Sequence, residues 1–192
     1  MSMRGLKNAF NVFLLVILLF GFAGTSYAKS YRSIQRKWTN HKEWFSAIDM
    51  SVAMLWHATY FSPEYRRAYE QEYIQRHYLD PVASARFIAE QEKDQAGTDE
   101  FFIGLYTRKS YKEFSLGKES FWQIVLVTDN GEEVQPIRID LVPLTPWESI
   151  LYPYLTRWSY GYRVVFPKAN TGKKFTLILR SVLGATDLEW DY

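Results

Sequence analysis

The chain has 192 residues, no cysteine, 18% aromatic side chains and 23 basic against 21 acidic residues. Without cysteine there is no disulfide and no thiolate chemistry, so the fold rests on its core alone. The basic excess comes from Arg4 and Lys7 at the very start, and without them the balance is neutral, which excludes a charge-driven nucleic-acid binder.

The first segment reads as a secretory signal peptide. Arg4 and Lys7 give it a positive start, an apolar stretch follows from Asn11 to Gly24, and Ser26 and Ala28 place small side chains before a cut after Ala28. The expected location is therefore periplasmic or secreted, with no cysteine to carry a lipid. The alternative is an uncleaved inner-membrane anchor, but the uninterrupted run from Val12 to Ala23 falls short of the roughly 20 residues a spanning helix needs.

Helical punctuation dominates up to Gly97. Asn40 with Glu43 resembles a capping box, and Trp44, Phe45, Ile48, Val52, Leu55 and Trp56 follow at helical spacing. Ser62-Pro63-Glu64 and Asp80-Pro81 start two further helices, each with an N-cap and a proline in the first turn. The spacing thus predicts three helices, over 40–60, 63–79 and 81–94. On the middle one Tyr65, Tyr69 and Tyr73 form a stripe, with Arg66–Glu70 and Glu72–Arg76 as surface charge pairs.

After Gly97 the period changes to two. Strands are expected over 100–107, 120–129, 132–142, 160–167 and 174–183, and Gly184–Tyr192 offers a sixth. Asn130-Gly131 marks a hairpin, Asn170–Lys173 a second turn, and Pro136 an edge or bulge. Strands joined without intervening helices imply antiparallel pairing. The expected fold is α+β, an antiparallel β-sandwich of five to seven strands preceded by a three-helix segment. The organisation follows as 1–28 signal, 29–96 helical segment and 97–192 sandwich. In strand count alone the second part resembles an immunoglobulin-like domain, and it lacks the cysteine–tryptophan–cysteine signature of that family.

The candidate binding surfaces are aromatic. Trp147, Tyr152, Tyr154 and Trp158 crowd an irregular segment broken by Pro146 and Pro153. They form either a platform that grips a ligand or a lid folded over the sheet. The tyrosine stripe Tyr65, Tyr69 and Tyr73 is the second surface. In the strand that follows, Tyr160, Tyr162, Val164 and Phe166 share a core face with Phe175, Leu177, Leu179 and Leu183 of the next. The closing alternation Leu188, Trp190, Tyr192 reads as a last strand on the sandwich and not as an outer-membrane barrel signal.

No catalytic constellation stands out. There is no Gly-x-Ser-x-Gly, and no phosphate-binding glycine loop. His41, His57 and His77 show no metal-ligand spacing; a site would need His57 and His77 to meet across helices with Glu64 or Glu72. Asp140 is placed to pair with Arg163 or Arg180 across strands. No catalytic residue, metal or cofactor is therefore assigned. The expected function is an exported cell-envelope module that binds or scaffolds an envelope protein or a glycan. The alternatives are a small periplasmic hydrolase or carbohydrate-active enzyme, and a membrane-anchored structural protein with an uncleaved N-terminal helix.

Overall fold

A computed structural model describes residues 30–46, 51–107, 115–117, 120–169, 174–182 and 184–191. The expected signal, Leu183, Tyr192 and the Asn170–Lys173 turn lie outside the described residues. Tyr31–Tyr192 form one compact unit.

The chain begins with helix α1 (Tyr31–Trp38), which buries Tyr31, Gln35 and Trp38 at positions i, i+4 and i+7 and carries Arg36 and Lys37 in its last turn. Strands β1 (Thr39–Ser46) and β2 (Ser51–Tyr60) follow as an antiparallel hairpin. This corrects the expected helix over 40–60. Met54, Trp56, Ala58 and Tyr60 are all buried, one residue in two, while His57 and Leu55 between them are only partly covered. The pairing of β1 with β2 shifts register between Trp44 and Phe45. Asn40 and Glu43 are strand residues and cap nothing.

The two other expected helices are present. Helix α2 (Pro63–Arg76) is capped by Ser62, which accepts from the Tyr65 amide at 3.1 Å. Helix α3 (Pro81–Gln95) is capped by Asp80, which accepts from the Val82 and Ala83 amides at 2.8 Å each. The N-terminal part is therefore not a three-helix segment, because its middle supplies two strands to the main sheet.

Six of the remaining strands are β3 (Thr98–Thr107), β4 (Gln123–Thr128), β5 (Glu133–Val134), β6 (Arg138–Val142), β7 (Ser159–Pro167) and β8 (Lys174–Ser181), and the last is β9 (Gly184–Asp191). A short helix α4 (Pro146–Leu151) precedes β7. One sheet runs β1-β2-β3-β7-β6 and the other β5-β4-β8-β9, with every pair of named strands antiparallel. The fold is thus β-rich α+β, with nine strands among the described residues. β2 pairs β3 across Gly97, so the change of pattern there is a change of period inside one sheet.

The run over 132–142 divides at Pro136. β5 closes the Asn130-Gly131 hairpin onto β4, and the chain then crosses to become the edge strand β6 of the other sheet. Gly131 takes φ +84, the left-handed value that the turn requires.

The sheets face each other across a core of rings. Phe101 of β3 lies 5.9 Å from Phe175 and 5.5 Å from Trp190, and Tyr60 lies 4.9 Å from Phe175. Tyr162, Val164 and Phe166 point into the same layer and are buried, as are Phe175, Leu177, Leu179, Leu188 and Trp190. Each such side chain contributes about 1.5–3 kcal/mol of burial. On one side the layers close through β1 and β9: Trp190 Nε1 donates to Trp38 O at 3.1 Å, and Lys42 pairs with Asp187 at 2.8 Å. The last strand is therefore core. Among the described residues no helix is long and apolar enough to cross a membrane.

Candidate functional site

The outer face of the five-stranded sheet carries the candidate residues. Its strands present Glu100, Phe102, Gly104 and Tyr106 from β3, and Gly161, Arg163 and Val165 from β7, on the side away from the ring core. Gly104 and Gly161 stand opposite each other. A Cβ on Gly104 would lie 2.7 Å from Leu155 Cδ2 and 2.9 Å from Tyr154 Cε2, and one on Gly161 would lie 2.7 Å from Leu144 Cδ2. The glycine pair is a notch into which the segment over 144–155 seats.

That segment is held down at several points. Thr145 and Glu148 form a capping box at the start of α4. Leu151 O, at its end, accepts from Tyr31 OH at 3.0 Å and from Gln35 Nε2. Tyr152 stacks flat on Phe102, centroids 3.6 Å apart. The Tyr154 hydroxyl bonds Thr59 Oγ1 at 2.8 Å, and its ring stacks nearly parallel on His57 at 4.6 Å. Of the two readings of this aromatic segment, the geometry is that of a lid.

The tyrosine stripe packs against the same layer. Tyr65 is fully buried, its hydroxyl 2.9 Å from that of Tyr31. Tyr69 packs on Phe61, and Tyr73 lies between Phe87 of α3 (4.4 Å) and Trp147 of the lid (5.9 Å). Trp147 also meets His77 at 4.1 Å. The two candidate surfaces therefore cover each other. Burial raises the phenol pKa values of Tyr65, Tyr152 and Tyr154, and pushes that of Tyr69 up to about 12, so all four stay neutral in ordinary buffers.

Beneath the lid sits an ionic cluster. Arg66 donates twice to Glu100 Oε2 at 3.2 Å, and Arg163 pairs with Glu100 Oε1. The ring of Phe61 lies 5.0 Å from the Arg66 guanidinium and 5.8 Å from that of Arg163. This corrects two expectations. Arg66 turns inward to Glu100 instead of forming a surface pair with Glu70, whereas Glu72–Arg76 is present at 2.5 Å. Asp140 faces Arg163 in register but binds Arg138 at 2.9 Å, and Arg180 binds Glu133 at 2.8 Å.

Only Trp158 among the seven candidates is strongly exposed, at 62%. It borders a hollow of about 270 Å³ where the lid stops short of the sheet's end. Leu55 and Tyr106 rise from the strands, Gly104 forms the floor, and His57, Tyr154 and Trp158 complete the aromatic wall. Thr156 and Ser159 add hydroxyls that already bond each other at 3.1 Å. Arg157 stacks on the Trp158 ring at 4.6 Å, and no acidic residue lines the hollow among the described residues.

His57 stacks on His41 at 5.1 Å on its other side, the two facing across β1 and β2. Burial, then the charge of His41, lowers its pKa to about 4. The hollow is therefore uncharged at neutral pH. His57 and His77 lie on different elements with different partners, which removes the metal arrangement considered from sequence. No group of three or more potential metal ligands occurs among the described residues.

Sequence reasoning singled out Tyr154 and Trp158 of this hollow and passed over Leu55, His57, Gly104, Tyr106, Thr156 and Ser159 as a group. A glycine inside a run as apolar as "EFFIGLYT" was the available signal. Compared with protein-family models, curated proteins and solved structures, the chain matches none of them.

Proposed function

We propose that the protein is an exported, non-catalytic binding module of the cell envelope, and that it grips an apolar side chain of a protein partner in the hollow beside Trp158. The observation that carries this reading is the hollow itself: a preformed, uncharged, ring-walled recess with an indole left exposed at its rim. Interface anchors are commonly aromatic side chains in desolvated pockets. A glycan fits less well, because three of the four lining hydroxyls are already engaged, Thr156 with Ser159 and Tyr154 with Thr59, which leaves few groups to pair with sugar hydroxyls. Hydrolysis finds no support, since acid–base work needs a titrating pair within reach of one substrate and the lining offers only a neutral histidine. The charged start and apolar stretch before Ala28 support export.

The test is photo-crosslinking in intact cells from a photoreactive residue at position 158, with Val82, exposed on α3, as the control position. A discrete protein adduct from 158 alone supports the reading. Absence of an adduct, or the same adducts from 82, defeats it. Retention on isolated cell-wall glycan that Trp158→Ala abolishes would replace the protein partner with a glycan. Export is checked separately, by finding Lys29 as the first residue of the protein recovered from cells.

A further inference from the structure

The hollow lies on one cross-strand row of the five-stranded sheet. Glu43 of β1, Leu55 of β2, Tyr106 of β3 and Ser159 of β7 stand opposite one another in that order. Paired residues share a face, so all four belong to the outer face, where Leu55, Tyr106 and Ser159 line the hollow. The lid stops beside this row, with Tyr154 stacked on His57 one row further in. What is left is a shelf that crosses the strands at the end of the sheet.

Each end of the shelf carries an exposed charge. Glu43 stands on the edge strand β1. Arg157 stands at the other end, in the turn closed by the Ser159 amide on Thr156 O at 3.0 Å, and its guanidinium lies over the Trp158 ring. Neither side chain has an ionic partner among the described residues, whereas Lys42–Asp187, Lys174–Glu189 and Arg180–Glu133 are closed into pairs. Adjacent strands lie about 4.8 Å apart, so the ends of the row are roughly 14 Å apart. That exceeds the screening length of about 8–10 Å, and the two charges do not neutralise each other.

An extended peptide matches this spacing. It rises about 3.3–3.4 Å per residue with alternate side chains on one face, so the residues two before and two after an anchor lie about 13–14 Å apart and point the same way as the anchor. An apolar side chain lowered into the hollow, midway along the shelf, brings those neighbours over its two ends. We infer that the hollow takes an extended peptide segment whose apolar anchor has a basic residue two positions to one side and an acidic residue two positions to the other. The basic residue meets Glu43 and the acidic one meets Arg157. This rests on the reading of the hollow as a side-chain anchor: the hollow holds the segment, and the rim charges select among segments. Either chain direction satisfies the pattern, because both charges are read by side chains.

Three synthetic peptides test this: acetyl-Lys-Gly-Phe-Gly-Glu-amide and its Lys/Lys and Glu/Glu versions. Each is titrated into the protein and followed by NMR, with the backbone amides of Gly104 and Tyr106 reporting occupation of the hollow. On the wild type the mixed peptide should bind about 3- to 10-fold tighter than either like-charged one. Glu43→Lys makes both rim charges positive and should move the preference to the Glu/Glu peptide. Arg157→Glu makes both negative and should move it to the Lys/Lys peptide. Both residues are exposed, so the thermal transitions of the variants should match the wild type and confirm folding. In acetyl-Lys-Phe-Glu-amide the charges adjoin the anchor and point to the opposite face, so it should bind no tighter than the like-charged peptides. Equal dissociation constants for the three peptides, or variants that leave the preference unmoved, overturn the inference while the hollow stands as an anchor. If no peptide shifts Gly104 or Tyr106 at up to about 10 mM, the anchor reading falls together with it.

Discussion

Replacing Glu100 with Gln preserves the shape of the cluster beneath the lid and removes the carboxylate that both arginines bind. Two guanidiniums depend on that group: Arg66 through two 3.2 Å bonds and Arg163 through the other oxygen. The Arg66 and Glu100 side chains are 8% and 9% exposed, so the charge left on Arg66 cannot be solvated in place. Breaking a buried pair from one side costs about 3–5 kcal/mol, a large share of the roughly 5–15 kcal/mol that holds a domain. With a urea slope of about 1–3 kcal/mol per M, the midpoint should fall by roughly 2 M. Arg66→Met in the same background removes the stranded charge, and Arg163, one-third exposed, can turn to water; the double variant should recover about 1–3 kcal/mol. Equilibrium urea unfolding followed by tryptophan fluorescence reads both. An E100Q variant within about 1 kcal/mol of the wild type would refute the reasoning, because the carboxylate would then not be the counter-ion that permits Arg66 to be buried.

Three further outcomes follow from the same face. Gly104→Ala places a methyl 2.7 Å from Leu155 and 2.9 Å from Tyr154 and should cost about 1–3 kcal/mol by overpacking, read as a lower thermal midpoint, whereas Trp158→Ala at the exposed rim should stay within about 0.5 kcal/mol of the wild type. His57 has a folded pKa of about 4 against an ordinary 6.5, so the unfolded chain takes up a proton between these values that the folded one refuses, and stability falls as pH drops from 6.5 to 4. Discounted for its partial exposure, the loss is on the order of 1–2 kcal/mol, and urea midpoints at pH 7 and pH 4.5 should converge by that amount between the wild type and His57→Asn. Tyr154→Phe deletes the hydroxyl that bonds Thr59 at 2.8 Å and should cost about 1 kcal/mol, measured by urea unfolding.

Where local signals agree with the fold, the sequence can be read directly. The caps at Ser62-Pro63 and Asp80-Pro81 start real helices, Asn130-Gly131 turns a real hairpin, and the alternation of β7 and β8 names the buried rings correctly. The failures have physical causes. The apolar residues Trp44, Phe45, Val52, Leu55 and Trp56 of the β1/β2 hairpin fall at helical spacing in the sequence, yet Trp56 is buried and Phe45 exposed, as two strands and not one helix face require. Helix α1 spans only eight residues, too few for its period to register against the segment before it. Pro136 marks an edge, as expected, since β5 and β6 on either side of it are both edge strands, but the run over 132–142 is not one strand, because the chain changes sheets there. Arg66 and Glu100 are 34 positions apart, and nothing local announces their pairing. The aromatic segment was legible as crowded but not as buried, because the notch that accepts it is made by two glycines on different strands.

The lid accounts for the hollow. A segment packed only by rings can slide, since dispersion and burial have little direction. Here its second half is fixed by directional bonds in a dry layer: Tyr31 and Gln35 on Leu151 O, and Thr59 on the Tyr154 hydroxyl. A buried donor that loses its acceptor costs about 1–3 kcal/mol, so displacing the lid in either direction strands several groups at once. The lid therefore stops at one place, and the recess it leaves at Leu55, Gly104 and Trp158 exists before any partner arrives. A preformed recess spares binding the entropy of ordering a loop. Tyr154 touches both the fastening bond and the wall of the recess, so Tyr154→Phe should loosen the hollow at denaturant concentrations that leave the two sheets intact. Faster hydrogen exchange at the amides of 152–158 than in β3 and β7 would show that separation, and uniform exchange across all of them would show that the lid and sheets open as one unit.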